Sequence, residues 1–359
     1  MIKLNKVSYN AGNNQILSNI SLEVKEGEIV ALLGPSGSGK TTILRLIAGF
    51  IRPQNGKVQL YNNDVTCQLP EEREISMLFQ DPVLFENLTV RKNAMYGIPK
   101  KNRYITQDYD VKRIIDAFDI QDIADRKINN GLSGGEKQRA ALLRTFVNAR
   151  NIILLDEPLK SSLNISLRWQ MMGVIKKFLK ENNKTAIIVT HDFDEASYLA
   201  DSIAVLTSSG SDLYKSEVEK IYYDPPNIHV AEAIGKGTKI ESKLFYDKDY
   251  REKNMPFKFE DFEPKIIDNA DSIFIRPDKI NIIKGGYGFK IVSINFFGEY
   301  FHIEIMPDVE KGNIKNLKVI CTSKNNDIND FDIGDVVGVK IKSKSLLIFN
   351  EKGKRINDN

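Results

Sequence analysis

A glycine- and serine-rich loop constrains what this chain can fold into more than any other feature. Residues 34–41 read Gly-Pro-Ser-Gly-Ser-Gly-Lys-Thr and fit the pattern G-x-x-x-x-G-K-[ST]. The compact apolar run Ile29–Leu33 before the loop predicts a strand, and the apolar spacing of Thr41–Phe50 after it predicts a helix. A strand, this loop and a helix in that order are typical of a phosphate-binding loop.

The residue types of the loop suit a nucleotide bound together with Mg²⁺. Small residues let backbone N–H groups turn inward around phosphates, and the following helix adds the positive end of its dipole. The Lys40 ammonium is expected to meet the β- and γ-phosphates, and the Thr41 hydroxyl is expected to be a Mg²⁺ ligand. We predict that the ATP contacts of this region are Gly34, Ser36, Gly37, Ser38, Gly39, Lys40, Thr41 and Thr42.

Two adjacent carboxylates end another apolar run. Ile152–Leu155 is short and continuous, as in a strand buried on both faces, and Asp156 and Glu157 follow it. Adjacent acids at a strand end are usually solvated charge, but a phosphate loop in the same chain favours a function. Asp156 is then expected to hold Mg²⁺, and Glu157 is expected to polarise the attacking water as a general base.

Further apolar runs indicate the fold class. Ala186–Val189 and Ile203–Leu206 are also short and continuous, and helical stretches lie between them. This pattern predicts an α/β fold with a mainly parallel sheet covered by helices. The alternating N-terminal segment predicts short antiparallel strands.

The character of the sequence changes after about Gly235. We therefore predict two domains: residues 1–235 with the α/β fold, and residues 236–359 with a small all-β, OB-like fold. The predicted strands of the second domain, separated by Gly, Pro and Asp/Asn turns, are Ser272–Ile275, Lys279–Ile283, Lys290–Phe296, Tyr300–Ile305, Lys318–Thr322, Val336–Lys342 and Leu346–Phe349.

Composition and apolar patterning give no reason to expect a nucleic-acid binder or a membrane-spanning chain. Lys plus Arg is 51 and Asp plus Glu is 48, so the net charge is +3 and gives no basic excess for a nucleic-acid partner. No apolar run approaches the roughly 18 residues of a transmembrane helix, and Met1–Gln15 lacks the apolar core of a signal peptide. We expect a cytoplasmic protein that reaches a membrane only through a partner. Cys67 and Cys321 are expected to be free thiols.

A second helix N-terminus follows the sequence Leu-Ser-Gly-Gly-Glu at residues 132–136. Ser133, followed by two glycines and a helical pattern, could bind an anion. Ser133 with Glu136 three residues later is also a capping box, so an ordinary N-cap is the alternative, and both can hold at once.

With these motifs together, the chain resembles the nucleotide-binding subunit of an ATP-binding-cassette (ABC) transporter over residues 1–235: a P-loop NTPase cassette with a helical subdomain. The stretch around Ser133 is similar to the family signature L-S-G-G-Q, with Glu136 in place of the glutamine. A carboxylate is favourable at a helix N-terminus, so activity is expected to survive this change. The resemblance implies that Ser133, Gly134 and Gly135 contact ATP.

The resemblance also implies roles for three residues outside these motifs. Tyr9 lies where the family places an aromatic ring that stacks on adenine. Gln80 matches the loop that senses Mg²⁺ and the permease, which makes it both a metal ligand and a catalytic residue. His191 matches the histidine that contacts the γ-phosphate and orients the attacking water. Taken alone, Tyr9 could be an ordinary strand tyrosine and His191 a capping residue.

The partners are likewise implied by the resemblance. In the family, two subunits pack head to tail, and each ATP lies between the phosphate loop of one subunit and the signature serine of the other. We therefore expect a dimer of two copies of this chain, bound to an integral-membrane permease at the cytoplasmic face of the membrane. A solute-binding protein would be an indirect partner.

The loop after the acidic pair departs from the family pattern E-P-x-S-x-L-D. Residues 157–164 read Glu-Pro-Leu-Lys-Ser-Ser-Leu-Asn, so the loop is one residue longer and Asn164 replaces the aspartate. Asparagine can hydrogen-bond but cannot act as an anion. Communication between the two sites of the dimer is the property that this change puts in question.

The residues after Gly235 resemble the β-domain found on ATPase subunits of importers that use a solute-binding protein. Residues 275–278, Ile-Arg-Pro-Asp, are similar to its R-P-[ED] hallmark, and Gly298 and Ile333–Val339 are similar to its later strands. In relatives this domain contributes to dimer contacts, regulation or ligand binding. A packing module without a ligand is the alternative.

The function expected from the whole sequence is the energy-coupling ATPase of an importer. A soluble ABC ATPase acting on ribosomes or DNA is disfavoured by the single cassette, the balanced charge and the C-terminal β-domain. An exporter ATPase and a non-catalytic regulator are further alternatives. Residues 75–90 are similar to importers of ferric iron and of thiamine, and the C-terminal domain fits iron, polyamine, sulfate or sugar importers. Ferric iron is the first choice for the cargo.

Overall fold

A computed structural model describes most of the chain: residues 2–81, 83–98, 108–159, 165–208, 210–241, 257–260, 270–296, 300–307, 319–324, 331–342 and 345–356. The chain divides into two compact units, Met1–Glu219 and Lys220–Asn359. The predicted domain boundary at residue 235 lies after this division and stays a prediction.

The first unit combines β-strands with helices. Its strands are β1 (Ile2–Ala11), β2 (Asn14–Val24), β3 (Ile29–Leu33), β4 (Asn55–Leu60), β5 (Asn63–Asp64), β6 (Ile75–Leu78), β7 (Ile152–Asp156), β8 (Thr185–Val189), β9 (Ser202–Leu206) and β10 (Leu213–Glu217). Its helices are α1 (Lys40–Ala48), α2 (Val90–Ala94), α3 (Asp108–Ala117), α4 (Gly134–Val147), α5 (Ile165–Glu181) and α6 (Phe193–Leu199), with short 3₁₀ turns at Pro70–Glu72 and Gln121–Ile123.

Six of the described strands form one sheet in the order β10-β9-β3-β8-β7-β6. The central pairs are parallel, and β10 is an antiparallel edge strand on β9. Every residue of β3, β7, β8 and β9 is buried, as expected for strands covered on both faces. The predicted α/β fold with a mainly parallel sheet is confirmed.

Helix α1 packs on this sheet through its apolar face. Ile43, Leu44 and Ile47 belong to one buried cluster with residues of β7 and β8. The helix ends at Ala48, before the predicted Phe50, because Gly49 adopts a left-handed conformation with φ of 88°. Its N–H then bonds back to carbonyls of the last turn, a common way for a helix to end.

A second, antiparallel sheet has the order β2-β1-β4-β5. Its β1–β2 pairing confirms the antiparallel strands predicted for the N-terminal segment, although the strands are longer than expected. Helices α2, α3 and α4 follow β6 in the chain and form the helical subdomain. Phe146 of α4 joins them to α5, because its ring lies 5.5 Å from Phe118 and 4.6 Å from Phe178, between centroids.

Among the described residues, no helix is both long and apolar enough to cross a membrane.

Cys67 is exposed and Cys321 is buried, and both are free thiols, as predicted. Burial raises the pKa of Cys321 to about 12.

The second unit is built mainly from strands. It includes α7 (Val218–Tyr223), which begins just before the division, then α8 (Ile228–Ala233), β11 (Thr238–Glu241), β12 (Phe257–Glu260), β13 (Ser272–Ile275), a 3₁₀ turn at Pro277–Lys279, β14 (Ile280–Phe296), β15 (Tyr300–Pro307), β16 (Val319–Lys324), β17 (Val336–Lys342) and β18 (Leu346–Phe349). The sheets have the orders β11-β13-β18 and β12-β17-β14-β15-β16, and one apolar cluster draws side chains from both.

One pair of predicted strands is wrong in detail. Residues 280–283 and Lys290–Phe296 belong to the single strand β14, whereas Lys279 ends the preceding 3₁₀ turn. Pairing with β17 shifts register between Lys284 and Phe289, so the extra residues form an irregularity within the strand. Strand β12, parallel to β17, was not predicted.

The Arg-Pro-Asp hallmark has a structural role in this unit. The Arg276 side chain is buried and donates from Nη1 to the carbonyls of Ala231 and Gly235, both at 3.0 Å. Its guanidinium carbon also lies 4.4 Å from the ring centroid of Tyr222 and 4.9 Å from that of Phe274. Carbonyls at the end of a helix lack partners within it, so Arg276 supplies donors for the end of α8.

Replacing Arg276 by methionine is expected to destabilise the second unit by about 2–4 kcal/mol, because a buried and a half-buried carbonyl lose charged donors. Urea unfolding followed by circular dichroism measures this change. The matched control is Lys279→Met, which removes a surface ion pair to Asp278 and a distant contact with the Tyr223 ring and should cost at most about 1 kcal/mol. Equal stability of the two variants would contradict the structural role of Arg276.

Candidate nucleotide site

Most of the predicted catalytic and phosphate-binding residues follow strands that end at one edge of the parallel sheet. Neighbouring parallel strands β3, β8, β7 and β6 all point their carboxyl ends to this edge. The phosphate loop follows β3, His191 follows β8, Glu157 follows β7 and Gln80 follows β6. Ligands of open α/β sheets bind at this edge, so the topology brings the separate sequence motifs to one place.

The phosphate loop needs glycine for its backbone path. Gly34, Gly37 and Gly39 have φ values of 149°, 81° and 104°, which residues other than glycine rarely adopt. A Cβ on Gly39 would also lie 2.7 Å from Cδ2 of Leu17. Gly39 is the N-cap of α1 and offers no side-chain cap, so the first N–H groups of the helix are left for a ligand.

Two further observations fit the loop to a polyphosphate. The Ser38 hydroxyl is buried and has no hydrogen-bond partner within the described part of the chain. The Lys40 Nζ donates to the carbonyls of Gly34 and Pro35, at 2.8 and 2.7 Å, so the ammonium is folded into the loop. Burial lowers the pKa of Lys40, while the nearby carboxylates of Glu157 and Asp156 oppose this shift. A phosphate is the kind of ligand that these donors would stabilise.

The other predicted loop residues differ in exposure. Ser36 is exposed at the tip of the loop, and Thr42 is half-buried in the first turn of α1.

Oxygen atoms suitable for Mg²⁺ lie beside the loop. The Thr41 hydroxyl donates to Oδ1 of Asp156 at 3.3 Å. Asp156 is only 2% exposed, and burial raises its pKa, although the Thr41 hydrogen bond lowers it. A hydroxyl and a buried carboxylate are ligands that Mg²⁺ prefers, and the cation would favour the ionised carboxylate. The residues therefore fit Mg²⁺ bound together with a nucleotide.

Glu157 occupies a strained backbone position. Its φ is 47°, in the left-handed region, and its N–H donates to the carbonyl of Val189 at 3.0 Å. Non-glycine residues in this region often lie at functional sites, where neighbouring structure enforces them. The bond to Val189 ties the end of β7 to the end of β8.

The Glu157 carboxylate connects two of the other predicted residues. Oε2 accepts a hydrogen bond from Gln80 Nε2 at 3.1 Å, and Oε1 lies 3.8 Å from His191 Nδ1. The His191 side chain is 73% exposed, so its imidazole can also meet a ligand from solvent. Gln80, Glu157 and His191 thus form a cluster with a free face, beside the Thr41–Asp156 pair.

The Ser133 group makes local contacts instead. The Ser133 N–H donates to the Glu136 carboxylate at 2.7 Å, and the Glu136 N–H donates to the Ser133 hydroxyl at 3.2 Å. The N-terminal capping box of α4 is therefore present, and the Ser133 N–H lowers the pKa of Glu136. Contact of Ser133, Gly134 and Gly135 with ATP of a second copy stays a prediction.

Tyr9 lies on β1 and packs, partly buried, against the core cluster. It pairs in register with Leu17, the residue that approaches Gly39 of the phosphate loop. One strand therefore separates Tyr9 from the loop. Stacking on adenine stays a prediction.

Three residues with structural links to this site were not singled out from the sequence. Gln138 of α4 is buried and donates to the carbonyl of Pro158 at 2.9 Å, directly after the acidic pair. Gln138 lies one turn before the buried Ala141 and Leu142, on the same face of α4, so its burial could have been predicted from the helical spacing. Arg168 and Glu195 lie beside the His191 loop and had no such signal.

Several predicted features lie outside the described residues. They are residues 160–164, which include Asn164, and Gly298 of the second domain.

Comparisons with known proteins show which proteins this chain resembles. Residues 17–160 match the family described as ABC transporter. The spermidine/putrescine import ATP-binding protein PotA of Spiroplasma citri is 34% identical over 84% of this chain and 87% of its own length. The Fe(3+) ions import ATP-binding protein FbpC of Fusobacterium nucleatum is 32% identical over 99% of this chain and 94% of its own length.

Solved structures are similar to the cassette part. The dimeric post-hydrolysis structure of the ATP-binding cassette MJ0796, bound to ADP and Pi, is 29% identical with a TM-score of 0.53. The match covers 61% of this chain and 99% of that one. An Atm1-family ABC exporter with ATP bound is 26% identical with a TM-score of 0.56, over 65% of this chain and 41% of that one.

Proposed function

The chain belongs to the ABC transporter family, and from this premise we propose that it powers a membrane importer from the cytoplasmic face of the membrane. It is an ATPase of the ATP-binding-cassette class. The observation that carries the proposed site is the convergence of the phosphate loop, the Thr41–Asp156 pair and the Gln80–Glu157–His191 cluster at one sheet edge.

The residues at this edge of the sheet have different roles in the proposed hydrolysis of ATP. Backbone N–H groups of the loop and the Lys40 ammonium bind the phosphates and stabilise charge that develops on them. Thr41 and Asp156 would hold Mg²⁺, which neutralises charge on the β- and γ-phosphates when it is bound. Gln80 is placed to serve both as a metal ligand and as a fixed donor to Glu157.

Glu157 is the general base in this proposal. Its carboxylate accepts the proton of the attacking water. One carboxylate oxygen is fixed by the hydrogen bond from Gln80, and the other lies toward His191. His191 would orient that water and contact the γ-phosphate. The exposed face of the cluster leaves the site open to solvent until another surface covers it.

A second copy of the chain is the partner that we propose for that covering surface. The MJ0796 cassette, which is similar over most of its length, has been solved as a dimer. Ser133 caps α4, a helix of 14 residues that begins with Gly134 and Gly135, and the N-terminus of this helix can stabilise an anion. In the proposed dimer, these residues of each copy complete the site of the other.

A permease is the partner that we propose for a groove of the first unit. A cavity of about 600 Å³ lies between strand β6, the segment after α2 and the end of α4. Phe85 and Tyr96 line it with rings 4.2 Å apart, and they are 40% and 55% exposed. Exposed aromatic residues beside a concave surface are typical of protein contacts. A helix of the permease is the occupant that we propose for this cavity.

Replacing both Phe85 and Tyr96 by serine is expected to weaken co-purification with the permease by about 10-fold or more, because aromatic anchors dominate such interfaces. The amount of permease recovered with the tagged chain from gently solubilised membranes measures this. Tyr223→Ser is the matched control, since Tyr223 is 61% exposed and lies in the other unit. Nucleotide binding by each purified variant checks that the cassette is intact, and undiminished recovery would place the permease elsewhere.

Mass spectrometry of proteins recovered with the native tagged chain tests the whole proposal. A polytopic membrane protein together with a solute-binding protein would support an importer. Recovery of ribosomal or DNA-bound proteins without a permease would favour the alternative, a soluble ABC ATPase.

For the cargo we propose a polyamine, with ferric iron as the second candidate. The spermidine/putrescine relative of Spiroplasma citri supports the first, and a similar protein of Acetivibrio thermocellus, 32% identical over 93% of this chain, agrees. Ferric iron, the first choice from the sequence, is supported by the Fusobacterium relative. Uptake of labelled spermidine and of ferric iron by cells with and without the chain distinguishes them.

A further inference from the structure

The two residues that flank His191 are held by a charged network behind the site. Thr190 donates from Oγ1 to the Glu195 carboxylate at 2.6 Å, and it accepts the Asp192 N–H at 3.1 Å. Asp192 caps α6, because its carboxylate accepts the N–H groups of Asp194 and Glu195 at 2.8 and 3.2 Å. The backbone on both sides of His191 is therefore fixed, although its own side chain is exposed.

Arg168 is the single described cation that contacts both carboxylates of this network. Its Nη2 lies 2.7 Å from Oδ2 of Asp192 and 3.3 Å from Oε2 of Glu195. Glu195 is 3% exposed, and its second oxygen has no partner within the described part of the chain. A carboxylate buried to this extent depends on its few partners, so loss of the cation would force Glu195 to rearrange or to bind a proton.

The direction of the pKa shifts agrees with this dependence. Burial raises the pKa of Glu195, against the Thr190 hydrogen bond and the Arg168 charge. Burial would also raise the pKa of Asp192, but hydrogen bonds from backbone N–H groups and from Arg168 lower it below its usual value.

Arg168 also lies at a significant place in the chain. It is in the first turn of α5, which begins at Ile165, directly after Asn164 in the sequence. Helices α5 and α6 are in contact beyond this network, because Trp169 and Tyr198 stack edge to face at 5.5 Å and Lys176 donates to the Tyr198 carbonyl at 2.5 Å. A displacement of the start of α5 would therefore reach the backbone around His191.

We infer that Arg168 is a positioning residue for ATP hydrolysis, which holds His191 in register with Glu157 by tying the start of α5 to Asp192 and Glu195. It touches neither the nucleotide nor the attacking water in this scheme. The inference rests on the role proposed above for His191.

The test is a double-mutant cycle on the full chain, with kcat for ATP and Kd for a fluorescent ATP analogue measured for each variant. Arg168→Met is expected to lower kcat about 10- to 100-fold and to change Kd less than about threefold, since the effect passes through the His191 loop. Arg168→Lys keeps a charge but not the forked geometry, so it should recover part of the lost rate. In a His191→Ala background, Arg168→Met should cause no further loss, because the two residues act in one unit.

A matched control distinguishes an effect on the position of His191 from a general loss of protein stability. Lys180→Met removes another ion pair of α5, to Asp201 at 2.6 Å, away from the His191 loop, and should leave kcat unchanged. If Arg168→Met does not fold, the cycle is run with Arg168→Lys.

Independent, multiplying losses from the Arg168 and His191 substitutions would overturn the inference, as would a normal kcat for Arg168→Met. If His191→Ala itself keeps full turnover, the proposed role of His191 fails as well, and this arm identifies that failure separately.

Discussion

Replacing Glu157 by glutamine is expected to lower the turnover number for ATP by at least about 100-fold, because an amide cannot accept the proton of the attacking water. Glutamine has the same shape, and its carbonyl can still accept the Gln80 hydrogen bond. ATP binding should therefore persist. Release of phosphate under single-turnover conditions measures the chemical step, and equilibrium binding of a fluorescent analogue measures the affinity.

Glu136→Gln is a suitable control for this variant. It makes the same chemical change at the N-terminus of α4, where it restores the residue usual in the family signature. The glutamine carbonyl can still accept the Ser133 N–H, so the variant loses only the charge of this contact and the ion pair to Arg126, together worth at most about 1 kcal/mol. Turnover should stay within a few-fold of normal. Unchanged turnover in Glu157→Gln would remove Glu157 from the role of base.

Lys40→Met is expected to weaken ATP binding about 10- to 100-fold, because a hydrogen bond to a charged group is worth about 1.5–3 kcal/mol. The ammonium bonds to the carbonyls of Gly34 and Pro35, and the loss of these bonds would offset part of its interaction with phosphate. Isothermal titration calorimetry with ATP and Mg²⁺ measures the affinity.

The controls for Lys40→Met address charge and folding. Lys57→Met removes a charge of the same kind from an exposed surface pair with Asp64 and should bind ATP normally. Thermal unfolding without nucleotide checks that the Lys40 variant keeps its fold. Full affinity in a folded Lys40→Met protein would show that the ammonium does not meet the phosphates.

The cassette could be predicted from sequence because its strongest signals are local. The phosphate loop needs consecutive small residues for left-handed backbone positions, and the buried strands need continuous apolar runs. The fold then brings Gln80, Glu157 and His191 together without further information, since parallel strands end at a common edge. Resemblance to a family supplied the roles of Gln80 and His191.

The parts that could not be predicted depend on contacts between distant segments. Arg168 and Asp192 are separated by 24 positions, and nothing in the pattern of α5 distinguishes Arg168 from other helical arginines. The glycine-rich centre of β14 reads as a turn locally, and only the pairing of both flanking segments with β17 makes them one strand. The Arg-Pro-Asp motif was recognised from the sequence. Its structural role, in which Arg276 donates to carbonyls at the end of α8, could be seen only in the folded structure.

The edge-to-face packing of Trp169 on Tyr198 has a practical consequence. Trp169 is the one tryptophan of the chain, so native fluorescence excited near the red edge of absorption arises from a single site. That indole is 48% exposed and follows Arg168 directly in the chain. Its emission wavelength and its quenching by iodide therefore report on the contact between α5 and α6. The protein carries its own optical probe of the helices that flank His191.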